Sequence, residues 1–240
     1  MFLIGGSDIC IRDGLMIHQP KLHEIRAPEI GITRYNAFIA TLALTPEAIV
    51  GEEAWSVLTP EARAEITTFG LASSVPALAD LFVDAFSFFV VGGVHLADGR
   101  MLFENGCVID EGLFDELIDG IMQISCASAG RQDERPPKNK KARAIWEKMK
   151  AGRKQKQHVS KKEARNMELP NLISAVAAKS HSYNLLNIWE LTVWQLYNQF
   201  SRIATNNQTD VVSLRWAAWG EDDFDFSIWY RNQKNDTDGV

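Results

Sequence analysis

The sequence predicts a mainly helical α+β protein, and three observations carry the prediction. Leu44-Thr45-Pro46-Glu47-Ala48 and Leu58-Thr59-Pro60-Glu61-Ala62 both have the chemistry of a helix start. Two tight-turn pairs, Asp13-Gly14 and Asn105-Gly106, sit between short apolar runs of period two. Near the C-terminus, Leu185, Trp189, Val193, Leu196, Phe200 and Ile203 recur at helical spacing.

From the N-terminus, Ile9 and Ile11 alternate with Asp8, Cys10 and Arg12. That pattern predicts a strand, and Asp13-Gly14 a hairpin turn, because glycine accepts the positive φ of a type I′ turn. Leu15 to His18 would return antiparallel. Pro20 suits the first turn of a short helix through Ile25, and Pro28 ends it.

Residues 31–85 read as helical. Thr45 and Thr59 each cap, a proline follows at the first helical position, and a glutamate complements the helix dipole. The flanking residues differ, so these are two independent caps and not a duplicated unit. Pro76 divides the stretch and leaves Ala77 to Phe86 as its last helix. Residues 87–109 then switch to period two: Phe88 to Val91, Val94 to Leu96, Arg100 to Glu104 and Cys107 to Ile109 predict a small β-meander. Asp110 caps a helix to about Ser125, whose apolar face is Leu113, Leu117, Ile121 and Ile124.

Residues 126–138 have linker composition: Ala127-Ser128-Ala129-Gly130, charges, then Pro136-Pro137. A basic helix from about Asn139 to Met167 follows. Its large apolar residues form too narrow a stripe for a core helix, and Ser160 with Glu163 offers a second start by a capping box. A short helix from Leu169 to Lys179 begins at Pro170. Asn184 to Ala204 is the strongest helical pattern, buried over more than half its circumference. Asp210 to Trp219 predicts a final helix, or one turn and an extended piece, and residues 224–230 alternate like a strand. The domains expected are 1–126, α+β; 127–168, linker and basic helix; and 169–240, a helical unit with a polar tail.

Charge is strongly segregated. Residues 131–165 hold 14 of the 25 Lys+Arg and 4 of the 31 Asp+Glu, a net +10 against −16 for the rest. The overall −6 argues against blanket nucleic-acid binding. Three cysteines, Cys10, Cys107 and Cys126, show neither metal spacing nor a disulfide framework. The N-terminus lacks a signal peptide's basic and apolar regions. The longest apolar stretch, around Phe86 to Val94, is too short to span a bilayer. A soluble protein of a reducing cytoplasm is expected.

No catalytic pattern stands out. His18, His23 and Glu24 do not share a helical face, so no metal site is predicted. The glycine pairs are not phosphate loops, and no GxSxG or HExxH occurs. Glu221 to Asp225 lacks the alternating ligands of a calcium loop and reads as a solvated acidic run. No cofactor and no enzymatic activity are expected.

Two surfaces remain. The basic segment, with Lys140, Lys141, Arg143, Arg153, Lys154 and Lys156, has three readings: phosphate contacts to nucleic acid, docking to an acidic protein surface, or a solvated connector. Its lone aromatic, Trp146, gives little support to base stacking. The aromatic helix is mostly core, yet Trp189, Trp194, Trp216, Trp219 and Trp229 crowd the C-terminal region, and tryptophan is enriched where one surface anchors another. Trp189, Trp194, Tyr197 and Phe200 are the candidate partner-binding residues.

Three segments carry a family resemblance: Ile11 to Ile25, Asn139 to Arg153, and Asn187 to Ile203 with its Trp-x-Leu-Thr pattern leading to Tyr197 and Phe200. They resemble the opening strand, turn and Pro-led helix, the charged helix, and the most recognisable helix of tail assembly chaperones and chaperone-like proteins of tailed bacteriophages, mostly from Gram-positive hosts. The likeness lies at both ends and is weak between about residues 40 and 85. It implies a non-enzymatic role in virion morphogenesis in the host cytoplasm. The implied partners are the tape-measure protein or other tail subunits, and many such chaperones have a frameshifted longer form; a homo-oligomer is a further partner to expect. The alternative from the residues themselves is a nucleic-acid-binding protein using the basic segment.

Overall fold

The computed structural model describes residues 3–12, 14–127, 167–220, 225 and 227–230. They form a mainly helical α+β protein with two small antiparallel strand pairs. The chain divides into two units. One is Met1–Arg143 with Thr192–Trp194, and the other is Ala144–Leu191 with Gln195–Val240.

In the first unit, Ile9–Arg12 (β1) pairs with Leu15–Ile17 (β2) in the register Ile9↔Ile17, Cys10↔Met16 and Arg12↔Leu15, with an irregularity between Cys10 and Arg12. Gly14 turns the hairpin at φ 84°, a value that disfavours any side chain. The helix expected from Pro20 begins later, at Leu22–Arg26 (α1), because Lys21 is its N-cap. Glu24 then reaches back to accept from the Lys21 amide at 2.6 Å.

The helical stretch forms as Gly31–Leu42 (α2), Pro46–Val50 (α3), Glu52–Val57 (α4), Pro60–Glu65 (α5) and Thr68–Ser74 (α6). Thr45 and Thr59 both cap as expected, each accepting an amide three residues on at 3.3 Å. Pro76–Phe89 (α7) leaves α6 at a bend of 114°. Pro76 sits in the first turn of α7 and cannot donate into α6, which separates the two helices.

The meander is smaller than the sequence predicts. Phe88 and Phe89 continue α7 and form no strand, and Val90 makes a single bridge to Ile17. An apolar run alone does not separate a buried strand from a buried helix. Here Phe82, Phe86 and Phe89 are all fully buried along one helix. Val94–Ala97 (β3) and Arg100–Phe103 (β4) form the hairpin, and the expected last strand, Cys107 to Ile109, contributes the bridge Leu102↔Val108.

Asp110 caps Glu111–Ile124 (α8), its carboxylate accepting from the Leu113 amide at 2.7 Å. The predicted face Leu113, Leu117, Ile121 and Ile124 is buried. The core centres on Phe114. Its ring lies 5.0 Å from Phe82 and 5.4 Å from both Phe86 and Phe69, tilted or edge-on, the geometry that aromatic quadrupoles favour. The α8 helix also packs on the β1–β2 hairpin. Thr192 closes this unit by an antiparallel bridge to Lys21.

The second unit contains Leu169–Lys179 (α9), with Pro170 in its first turn as predicted and Leu172 and Val176 fully buried. The long helix departs from expectation at both ends. It spans Val193–Trp219 (α10), not 184–204, and absorbs the separate final helix expected at 210–219. Residues before it form turns and a 3₁₀ segment, Ile188–Glu190. Asparagine chemistry accounts for this. Asn187 Oδ1 accepts from the Asn184 amide at 2.7 Å, Asn184 Oδ1 from the Leu186 amide at 2.8 Å, and Asn187 Nδ2 donates to the Ser182 carbonyl at 3.0 Å. Side chains that satisfy the backbone locally compete with helix. In place of the expected terminal strand, Ile228–Tyr230 forms a 3₁₀ turn. The predicted linker from Ser128 onward and the basic helix lie outside the described residues.

Candidate partner-binding surface

Burial changes along α10. Val193 and Leu196 are buried, and residues 197–203 are partly buried. Beyond Ala204 the outward face is open: Val211 is 58% exposed, Leu214 70% and Trp219 73%, with Trp216 at 40%. Val211, Leu214 and Ala218 follow spacings of three and four, so they share one stripe, which Trp219 flanks. The stripe and its flank extend over about 12 Å of helix. On the other side, Thr205, Thr209, Val212 and Ser213 stay partly buried. Thr205 and Thr209 donate their hydroxyls to the carbonyls of Ser201 and Thr205 at 3.0 and 2.9 Å, which keeps two polar groups satisfied within the helix.

The helix is also poor in charge. Its 27 residues include three Asp, Glu, Lys or Arg side chains: Arg202, Asp210 and Arg215. A solvated helix normally presents a charged outer face. An exposed stripe of valine, leucine and tryptophan instead has the composition of a contact surface.

A cleft of ≈ 750 Å³ lies within the same unit. Lys179 and His181 from the end of α9 face Arg202, Asn206 and Asp210 of α10, and Trp229 forms part of the wall. Arg202 Nη1 donates to the Trp229 carbonyl at 3.2 Å, tying the C-terminal 3₁₀ turn to the helix. Ser180 shapes the other side, its hydroxyl accepting the amides of Ser182 and Tyr183 at 3.2 Å each.

The four partner-binding residues named from the sequence fall in different settings. Trp189 is partly buried in the 3₁₀ segment and donates Nε1 to the Leu185 carbonyl at 2.7 Å, so it does not share a helical face with Val193 and Phe200. Trp194, Tyr197 and Phe200 are partly buried on α10. Tyr197 donates its hydroxyl to the Met167 carbonyl at 3.2 Å. The more exposed aromatics, Trp219, Trp229 and Tyr230, lie further along. Trp219 and Trp229 are among the tryptophans that crowd the C-terminal sequence, and the Val211, Leu214, Ala218 spacing lies within the helix expected at 210–219. The basic residues Lys140, Lys141, Arg143, Arg153, Lys154 and Lys156 lie outside the described residues.

Among the described residues, no group of three or more His, Cys, Asp or Glu is arranged to hold a metal ion. The cysteines Cys10, Cys107 and Cys126 are exposed, and none of the three forms a disulfide among the described residues. No single helix among the described residues is long and apolar enough to cross a membrane.

No curated protein and no solved structure matches the chain. Residues 155–234 match the family model described as the YomV second domain. That span contains α9, the cleft and all of α10. The region that carries the exposed apolar stripe is therefore similar to a phage-associated domain.

Proposed function

We propose that this protein is a non-enzymatic tail assembly chaperone of a tailed phage, acting in the host cytoplasm. Its work is to cover apolar helical segments of the tape-measure protein, or of another tail subunit, before the tail closes around them. The observation that carries this reading is the exposed stripe Val211, Leu214 and Trp219 on a weakly charged helix, inside the segment that resembles a phage domain. An unassembled helical ruler exposes apolar faces that aggregate in water, and a complementary amphipathic helix removes them from solvent. Tyr197 and Phe200, three residues apart, extend the aromatic surface toward the helix start, with Trp194 beyond them. Trp189 supports the turn that precedes the helix.

The second reading is nucleic-acid binding through the basic segment, favoured by its net charge of +10. Salt separates the two. Phosphate binding weakens with a log–log slope of about −0.9 per phosphate neutralised, whereas apolar helix capture is nearly insensitive to salt. The test is isothermal titration of the purified protein with a helical tape-measure fragment, and separately with duplex DNA, at two ionic strengths. Salt-insensitive binding of the fragment supports the chaperone reading. Steeply salt-dependent binding of DNA without binding of the fragment overturns it.

A further inference from the structure

His18 sits between two carboxylates. Its Nδ1 lies 2.9 Å from Asp8 Oδ1, and its Nε2 lies 2.9 Å from Glu24 Oε1. The hairpin register explains the first contact: with Ile9 opposite Ile17, Asp8 falls opposite His18. The helix start explains the second, because Glu24 turns back on the N-cap of α1 to bond Lys21.

An ionised carboxylate only accepts hydrogen bonds, and a neutral imidazole has one N–H to give. Both contacts are satisfied together only when both ring nitrogens carry protons. We propose that His18 is a proton-dependent clamp: as an imidazolium it fastens the N-terminal segment through Asp8 to helix α1 through Glu24, and loss of its proton opens the Asp8 side.

The neighbouring elements set the balance. Burial lowers the His18 pKa, but the hydrogen bonds and charges of Glu24 and Asp8 outweigh it and raise the pKa above 6.5. Asp8 comes from the loop before β1 and Glu24 from α1, and these are the two charged groups that act on the ring. The end of α7 contributes backbone only, the Phe89 carbonyl accepting the His18 amide at 2.6 Å. The two arms of the clamp are not equal. Glu24 is also held by the Lys21 amide at 2.6 Å, while Asp8 Oδ1 has the longer Gln19 amide contact at 3.3 Å. A neutral His18 therefore keeps its proton on Nε2 toward Glu24, and Asp8 faces a bare nitrogen.

The consequence for stability follows from the sign. The folded pKa is raised, so the stabilisation is fully present below the unfolded value near 6.5 and is lost as pH rises through the folded pKa. The clamp secures the strand that ends at Ile17 and the helix whose Lys21 bridges to Thr192. Its opening loosens the N-terminal edge of the first unit.

The test is a pH titration of the ¹⁵N-histidine-labelled full chain by NMR, reading both ring nitrogens of His18. The expected result is a doubly protonated ring at low pH, a midpoint above 6.5, and a neutral form with the proton on Nε2. The backbone amides of Asp8 and Gln19 should shift with the same midpoint. In Asp8→Asn the midpoint should fall. A wild-type midpoint at or below 6.5, or amides that ignore the titration, would overturn the proposal without any variant having to fold.

Discussion

At the scale of single residues, packing around Phe114 and Gly120 makes the sharpest demands. Phe114 is fully buried against three other rings, so Phe114→Ala should cost about 3–5 kcal/mol, read as the shift in urea unfolding. Gly120 lets α8 approach β2: a Cβ there would lie 2.5 Å from Ile17 Cδ1, and Ile17 is fully buried. Gly120→Ala should therefore destabilise by about 1–3 kcal/mol through overpacking. Ile17→Val removes the clashing methyl and alone costs about 0.5–1.5 kcal/mol. The double variant should be more stable than the sum of the two single losses predicts. Strict additivity in the unfolding curves would show that the two positions do not compete for space. Neither contact was legible in the sequence, because each joins residues about a hundred positions or several elements apart. The Asp8–His18 contact was closer to hand. A strict two-residue Asp13-Gly14 turn sets Ile9 across from His18, and the irregularity between Cys10 and Arg12 shifts Asp8 into that place.

At the scale of elements, local chemistry was read well and competing local chemistry was not. Thr45, Thr59 and Asp110 cap the helices that their positions predicted, and Leu169–Lys179 has the predicted bounds. Asp110→Ala should lower stability by about 1 kcal/mol by orphaning the Leu113 amide, and Asp110→Asn should recover most of it. A melt of the Ala variant equal to wild type would mean that another group caps α8. The start of α10 was misread because apolar spacing through Leu185 and Trp189 outweighed Asn184 and Asn187, whose side chains hold the backbone in turns. Between the helices expected at 184–204 and 210–219, Asn206, Asn207 and Thr209 are weak helix formers. Thr209 instead bonds the carbonyl one turn back and the helix continues. The continuation joins the exposed Val211, Leu214 and Trp219 to the buried start of the helix.

At the scale of the whole molecule, we propose that the C-terminal half of α10 captures an apolar helix. Burying large aromatic and aliphatic side chains there supplies about 1.5–3 kcal/mol each before ordering costs. The direct measurement pairs Trp219→Ala with wild type, recording both the thermal melt and the affinity for a helical tape-measure fragment. Trp219 is 73% exposed, so the melt should match wild type to within about 0.5 kcal/mol. Affinity should fall by about 2 kcal/mol, roughly thirtyfold. A variant that melts like wild type and binds the fragment equally well would contradict the account.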